Sequence, residues 1–182
     1  MPSRLGFLLA LALAAPLSAQ EAEIPGVSTA IAGREVRVTA TLSRPLPSEL
    51  LARLSSGLPT TTVWRIGLFV FRGFWWDGEK DERRYAVTAT FRPVPGDWVV
   101  ERRMDDRLLE SQIVPTRAEA ERALAGVHAL PCFVMGRHLL SKRLVVKVRC
   151  SVGTGLSLGV VPTTLETPWR RSGVFSWSGE TP

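Results

Sequence analysis

Two histidines, two cysteines and one tyrosine in 182 residues leave little material for a catalytic or metal-binding cluster. No Gly-x-Ser-x-Gly, phosphate loop or Cys-x-x-Cys is present. That removes the nucleophile elbow, the P-loop nucleotide site and the dithiol redox pair. His128 and His138 stand in no helical or strand spacing suited to one metal, so a zinc site would need remote Asp, Glu or Cys ligands. Cys132 with either histidine could form a thiolate and base pair, but the sequence supplies no orienting third group and no activating motif. Gly153-Thr154-Gly155 is a turn signal too short for phosphate binding. Internal repeats, low-complexity tracts and nucleic-acid modules are also missing, so no nucleic-acid partner and no cofactor is expected.

Long apolar runs are scarce as well. The only striking one is at the start: Arg4 gives a positive n-region, Leu5 to Leu13 is apolar but too short to stay in a bilayer, and Ala14 to Ala19 supplies a small-residue, helix-breaking end. Residues 1–19 are expected to be a signal peptide, and the protein to be periplasmic or secreted. Thr60 to Phe74 is the next apolar stretch, but Arg65 and Arg72 interrupt it. No transmembrane helix is expected after signal cleavage. Roughly 160 residues remain, enough for one continuous core.

Charge is the chain's main surplus. Lys and Arg number 23 against 17 Asp and Glu, for a net charge of +6. The basic residues gather in Arg83-Arg84 with Arg92, and in Arg137 to Arg149. They could meet anionic lipid, anionic polysaccharide or an acidic partner, or simply cover the wet face of a sheet.

Strand periodicity dominates. Residues 20–33, poor in large side chains, are expected as a flexible lead-in. Val36, Val38, Ala40 and Leu42 alternate with polar residues in a half-buried strand over Glu35–Ser43. Ser48 offers an N-cap for a short helix bearing Leu50, Leu51 and Leu54, which Gly57 stops. Thr60 to Arg72 is apolar on both faces and should be the central strand. Strands over Arg83–Arg92 and Trp98–Arg103 complete an antiparallel meander. Thr116 to Glu119 is a capping box opening a helix to about His128, and Lys142–Ser151 alternates again. Shorter strands are expected near 156–161 and 173–177.

Phe74, Trp75, Trp76 and Asp77 form the most unusual local feature. Adjacent tryptophans in a strand point to opposite faces, so at least one is a candidate for exposure at a hairpin tip. It could stack on a sugar, sit at a lipid interface or anchor a protein. Alternatively, each is a structural aromatic under a covering element. Asp77, Glu79, Asp81 and Glu82 lack the Gly and bidentate Glu of a calcium loop, and nothing sets two of them across a glycosidase cleft. A solvated turn accounts for them. Cys132 and Cys150 could close a disulfide worth roughly 3 kcal/mol, or be two separate buried thiols.

The run Leu50 to Pro59, followed by the apolar strand ending in Phe74-Trp75-Trp76-Asp77, resembles the exported bacterial family of unknown function DUF4390. Tyr85-Ala86-Val87-Thr88 is similar to the family's return strand, Thr116 to Leu124 to its small helix, and Trp169 with Phe175-Ser176-Trp177 to its aromatic end. The two cysteines and the Pro93-Val94-Pro95-Gly96 turn depart from the pattern. The resemblance implies an exported β-rich domain and lends no activity.

The expected fold is α+β, mainly antiparallel: a β-sandwich-like single domain over 34–178 with two short helices, followed by a tail at 179–182. Its core should include Val38, Leu54, Trp64, Ile66, Leu68, Val70, Tyr85, Val87, Leu124, Leu144, Val146 and Val148. The leading functional expectation is a non-enzymatic envelope accessory protein that contacts an envelope protein or anionic envelope surface through Phe74 to Asp77 and the basic strands. The alternative is a carrier of a hydrophobic ligand such as lipid, held between sheet and helix.

Overall fold

The computed structural model describes residues 22–43, 46–73, 78–153 and 165–179. The expected signal peptide, the expected strand near 156–161 and the end of the expected tail lie outside them.

Two antiparallel sheets share one core. The smaller has the order β1-β2-β7, built from β1 (Val27–Ala32), β2 (Glu35–Thr41) and β7 (Gly126–Val134). The larger runs β10-β8-β3-β4-β5-β6. Its strands are β3 (Thr60–Val70), β4 (Gly78–Arg92), β5 (Asp97–Met104), β6 (Arg107–Val114), β8 (Arg143–Gly153) and β10 (Arg170–Arg171). Two further short strands, β9 (Leu165–Glu166) and β11 (Phe175–Ser176), also pair with β8.

The long apolar strand β3 is central, hydrogen-bonded to β4 on one side and β8 on the other. Alternation sends Trp64, Ile66 and Leu68 inward, with Leu144, Val146 and Val148 of β8 and Tyr85 and Val87 of β4 on the same face. Val36 and Val38 of β2, with Val127 and Phe133 of β7, meet them from the smaller sheet. All twelve expected core residues lie in this cluster, Val70 only partly buried at its margin.

Helix α1 (Ser48–Ser55) adds Leu50 and Leu54 to the core, and helix α2 (Arg117–Leu124) adds Ala120 and Leu124. Pro47, rather than the expected Ser48, holds the cap position of α1, and Ser48 is the first helical residue. Gly57, at φ +76°, ends the helix in the left-handed region as expected. In α2 the Thr116 side chain accepts a hydrogen bond from the Glu119 N–H at 3.3 Å, the capping-box contact its sequence calls for.

Several further expectations are corrected. Glu79, Asp81 and Glu82 are not a solvated turn but part of β4, which starts at Gly78 rather than Arg83 and pairs there with Phe69, Leu68 and Gly67 of β3. Residues 27–32 are not a flexible lead-in but β1, paired along its whole length with β2, while Ala22 and Ile24 before it are buried. Helix α2 stops at Leu124 rather than near His128, because the chain turns directly into β7. The meander also gains a further strand, β6, on its outer edge.

Candidate functional site

Phe74, Trp75, Trp76 and Asp77 lie outside the described residues. The strands that lead to them, β3 and β4, are described, and the outward face of these strands carries the chemistry nearest to what the aromatic tip was expected to provide.

On that face, cations from β8 sit over aromatic rings. The Arg143 guanidinium is 4.7 Å from the centre of Phe71, the Lys147 ammonium 4.6 Å from Phe69, and the Arg149 guanidinium 4.8 Å from Trp169. Each falls within cation–π range. Phe69 also folds over Gly67, where any Cβ would collide with its ring, so glycine at that position keeps the ring flat on the sheet. Trp169 remains 41% exposed.

The same face aligns three arginines. Arg65 of β3 is directly opposite Arg149 of β8 and directly opposite Arg84 of β4. Like charges facing one another across strands are unfavourable. Acids relieve the two ends of the row: Glu166 pairs with Arg149 at 3.1 Å and Asp106 with Arg84 at 3.0 Å. Arg65, in the middle, is exposed and has no acidic partner among the described residues.

A second feature is a cleft of about 340 Å³ between the free end of the large sheet and the β7 side of the small one. Its polar groups come from Tyr85, Arg102, Glu110, Gln112 and His128. Arg102 donates to Glu110 at 3.1 Å and to Gln112 at 3.3 Å. Burial raises the Tyr85 phenol above its ordinary value, and the neighbouring Arg102 charge opposes that shift. A bulge opposite Thr39 directs His128 to this cleft: the register between β2 and β7 slips here, Ala129 adopts φ +45°, and its N–H donates to the Thr39 hydroxyl at 2.9 Å. Gly126 makes room, since a Cβ there would lie 2.8 Å from the Thr41 methyl and 3.1 Å from His128 Nε2. The arrangement can hydrogen-bond a small polar group. No sequence motif pointed to it, because it is assembled from β4, β5, β6 and β7 by tertiary contact.

Cys132 and Cys150 are free, buried thiols on opposite sheets, the second of the two alternatives considered for them. Cys132 Sγ donates to the Leu130 carbonyl at 3.3 Å. Burial pushes its thiol up to about 12 and raises Cys150 further. Both are therefore protonated at neutral pH, and a thiol nucleophile needs the thiolate. His138 lies apart, exposed in the turn Arg137–Leu139. No group of three or more His, Cys, Asp or Glu among the described residues could hold a metal ion. None of the described helices is long and apolar enough to cross a membrane.

These features define a mainly antiparallel, two-sheet domain whose large sheet has a packed inner face and a cationic, aromatic outer one. The DUF4390 family model, a domain of unknown function, matches residues 19–165, and the chain belongs to that family. Neither a curated protein nor a solved structure matches it.

Proposed function

We propose that this protein is an exported, non-enzymatic accessory protein of the bacterial cell envelope that works by surface contact with another envelope component. The address rests on residues 1–19, with their single positive charge, short apolar run and small-residue end. The contact rests on the outward face of the large sheet, where three cation–ring pairs are displayed side by side. Partly exposed aromatics held rigid beneath cations present apolar area at little entropic cost, as binding surfaces do. The inner face supports this reading over a hydrophobic-ligand carrier. There Trp64, Ile66, Leu144 and Val146 are each 0% exposed and packed in one cluster, and the cleft beside them sets Arg102, Glu110, Gln112 and His128 among its apolar lining residues.

The test is native mass spectrometry of the protein purified gently from its own envelope, alongside the double variant Phe71→Ala with Trp169→Ala. The parent should carry an envelope component that the variant loses, while the melting temperature moves by no more than about 3 °C, as expected when roughly 1 kcal/mol of exposed contact is removed. Retention of the component by the variant, or a collapse of its stability, would sink the proposal.

A further inference from the structure

The proposed contact face leaves the chemistry of its partner open; the arginine row narrows it. Cross-strand register puts Arg149, Arg65 and Arg84 side by side on β8, β3 and β4, neighbouring strands about 4.8 Å apart. A stretch of sheet selected only for stability would alternate charge here, because like charges directly opposite one another destabilise a sheet. Acids reach only the two outer members, Glu166 and Asp106. The next row down adds Arg171 opposite Lys147, with Glu82 the acid at its far end.

We infer that this row is a docking strip for the phosphate headgroups of an anionic phospholipid surface, an assignment that rests on the surface-contact reading above. The strip lies on the broad face of a sheet, so it can meet many headgroups of a planar array at once. Its cations alternate with rings, Arg149 over Trp169 and Arg143 over Phe71. Tryptophan and phenylalanine interleaved with arginine and lysine suit the boundary between headgroups and acyl chains, where apolar ring and charged group are both accommodated.

The assignment is tested by co-sedimentation with phosphatidylglycerol vesicles and with phosphatidylcholine vesicles, at low and at physiological salt. The parent chain should bind the phosphatidylglycerol vesicles selectively and more weakly as salt rises. Arg65→Gln should weaken partition about fivefold, and Arg65→Glu, a change of two charges, on the order of twenty-five-fold. Trp169→Phe should bind better than Trp169→Ala. Circular dichroism of each variant separates lost binding from lost folding, and Arg103→Gln, on the same face but outside the row, serves as a matched loss of charge with a smaller effect. Equal binding to both vesicle types, or Arg65 variants that bind like the parent, would overturn the inference. If vesicles are ignored while Phe71→Ala with Trp169→Ala still releases an envelope protein, the lipid assignment falls and surface contact survives. If that variant also releases nothing, both fall.

Discussion

On β3, Trp64, Ile66 and Leu68 point into the molecule and are at most 2% exposed, whereas Val63, Arg65 and Phe69 on the alternate positions face outward and remain partly or fully exposed. The neighbouring strand β8 repeats the division, with Leu144, Val146, Val148 and Cys150 inside and Arg143, Lys147 and Arg149 outside, although Val145 among the outward positions is itself covered and 0% exposed. Two strands thus build a core on one side and a charged, ring-bearing surface on the other, with a single residue of register separating them. The inner face is constrained by volume and by the absence of water. The outer one satisfies neither charge balance nor full burial, and a surface that departs from stability rules in this way points to a demand from outside the fold.

The sharpest way to break this comparison is at its most buried point. Trp64→Ala removes the largest fully buried side chain and should cost about 3–5 kcal/mol, measured by chemical denaturation. That is a large part of the stability of an ordinary domain. Trp64→Phe sharpens the test. The indole N–H of Trp64 is buried without a hydrogen-bond partner, so phenylalanine removes an unsatisfied donor along with some volume and should cost much less than alanine. A Trp64→Phe cost well beyond that of the lost volume would mean that the indole nitrogen is satisfied in the native protein.

This division was legible in the sequence because alternation is a direct record of burial. The strict pattern of β2, the double-sided apolarity of β3 and the alternation of β8 all mark real strands, and the capping box at Thr116 marks a real helix start. The strands that went unseen are those whose pairing owes little to side chains. Every residue of β6 but Val114 is exposed, so its hydrogen bonds to β5 leave no periodic trace. Strand β1 is an edge built largely from small residues. In β7, Pro131 and the bulge at His128–Ala129 break the alternation, and the apolar stripe of α2 runs on into it; proline is tolerated because β7 is an edge of the small sheet. The basic groups were visible as sequence clusters. Their alignment was not, since Arg65, Arg84 and Arg149 become neighbours only through the register of three strands. The polar cleft was invisible for the same reason.

A smaller effect separates the two faces by pH. Both cysteines are on the core side, and burial raises both thiols, Cys132 to about 12 from 9.0. Above pH 9 the unfolded chain releases thiol protons that the folded chain retains. The unfolded state then binds fewer protons, and stability falls with rising pH. The thiols' contribution is fully present below pH 9 and is lost as pH climbs towards 12. Denaturation midpoints at pH 8 and 10 should differ by on the order of 1 kcal/mol per thiol, and replacing both cysteines by alanine should flatten that part of the slope. In the same samples at pH 8, a thiol reagent should react slowly with folded protein and promptly with unfolded protein, whereas prompt reaction of the native state would place a thiol at the surface.

The smallest expected change is on the outer face, and its sign carries the information. Arg65 sits between Arg149 and Arg84 with no acid beside it among the described residues. Substituting glutamine for it removes two like-charge contacts while keeping a polar, exposed side chain, so Arg65→Gln should raise stability by a few tenths of a kcal/mol. The gain should shrink as salt screens the row in the parent. Where Trp64→Ala removes a contribution to the fold, Arg65→Gln would remove a cost, which is the outcome expected of a surface kept for contact rather than for folding. A destabilising Arg65→Gln would instead make the guanidinium a structural part of the sheet, and the two faces would then be stabilised by the same rules.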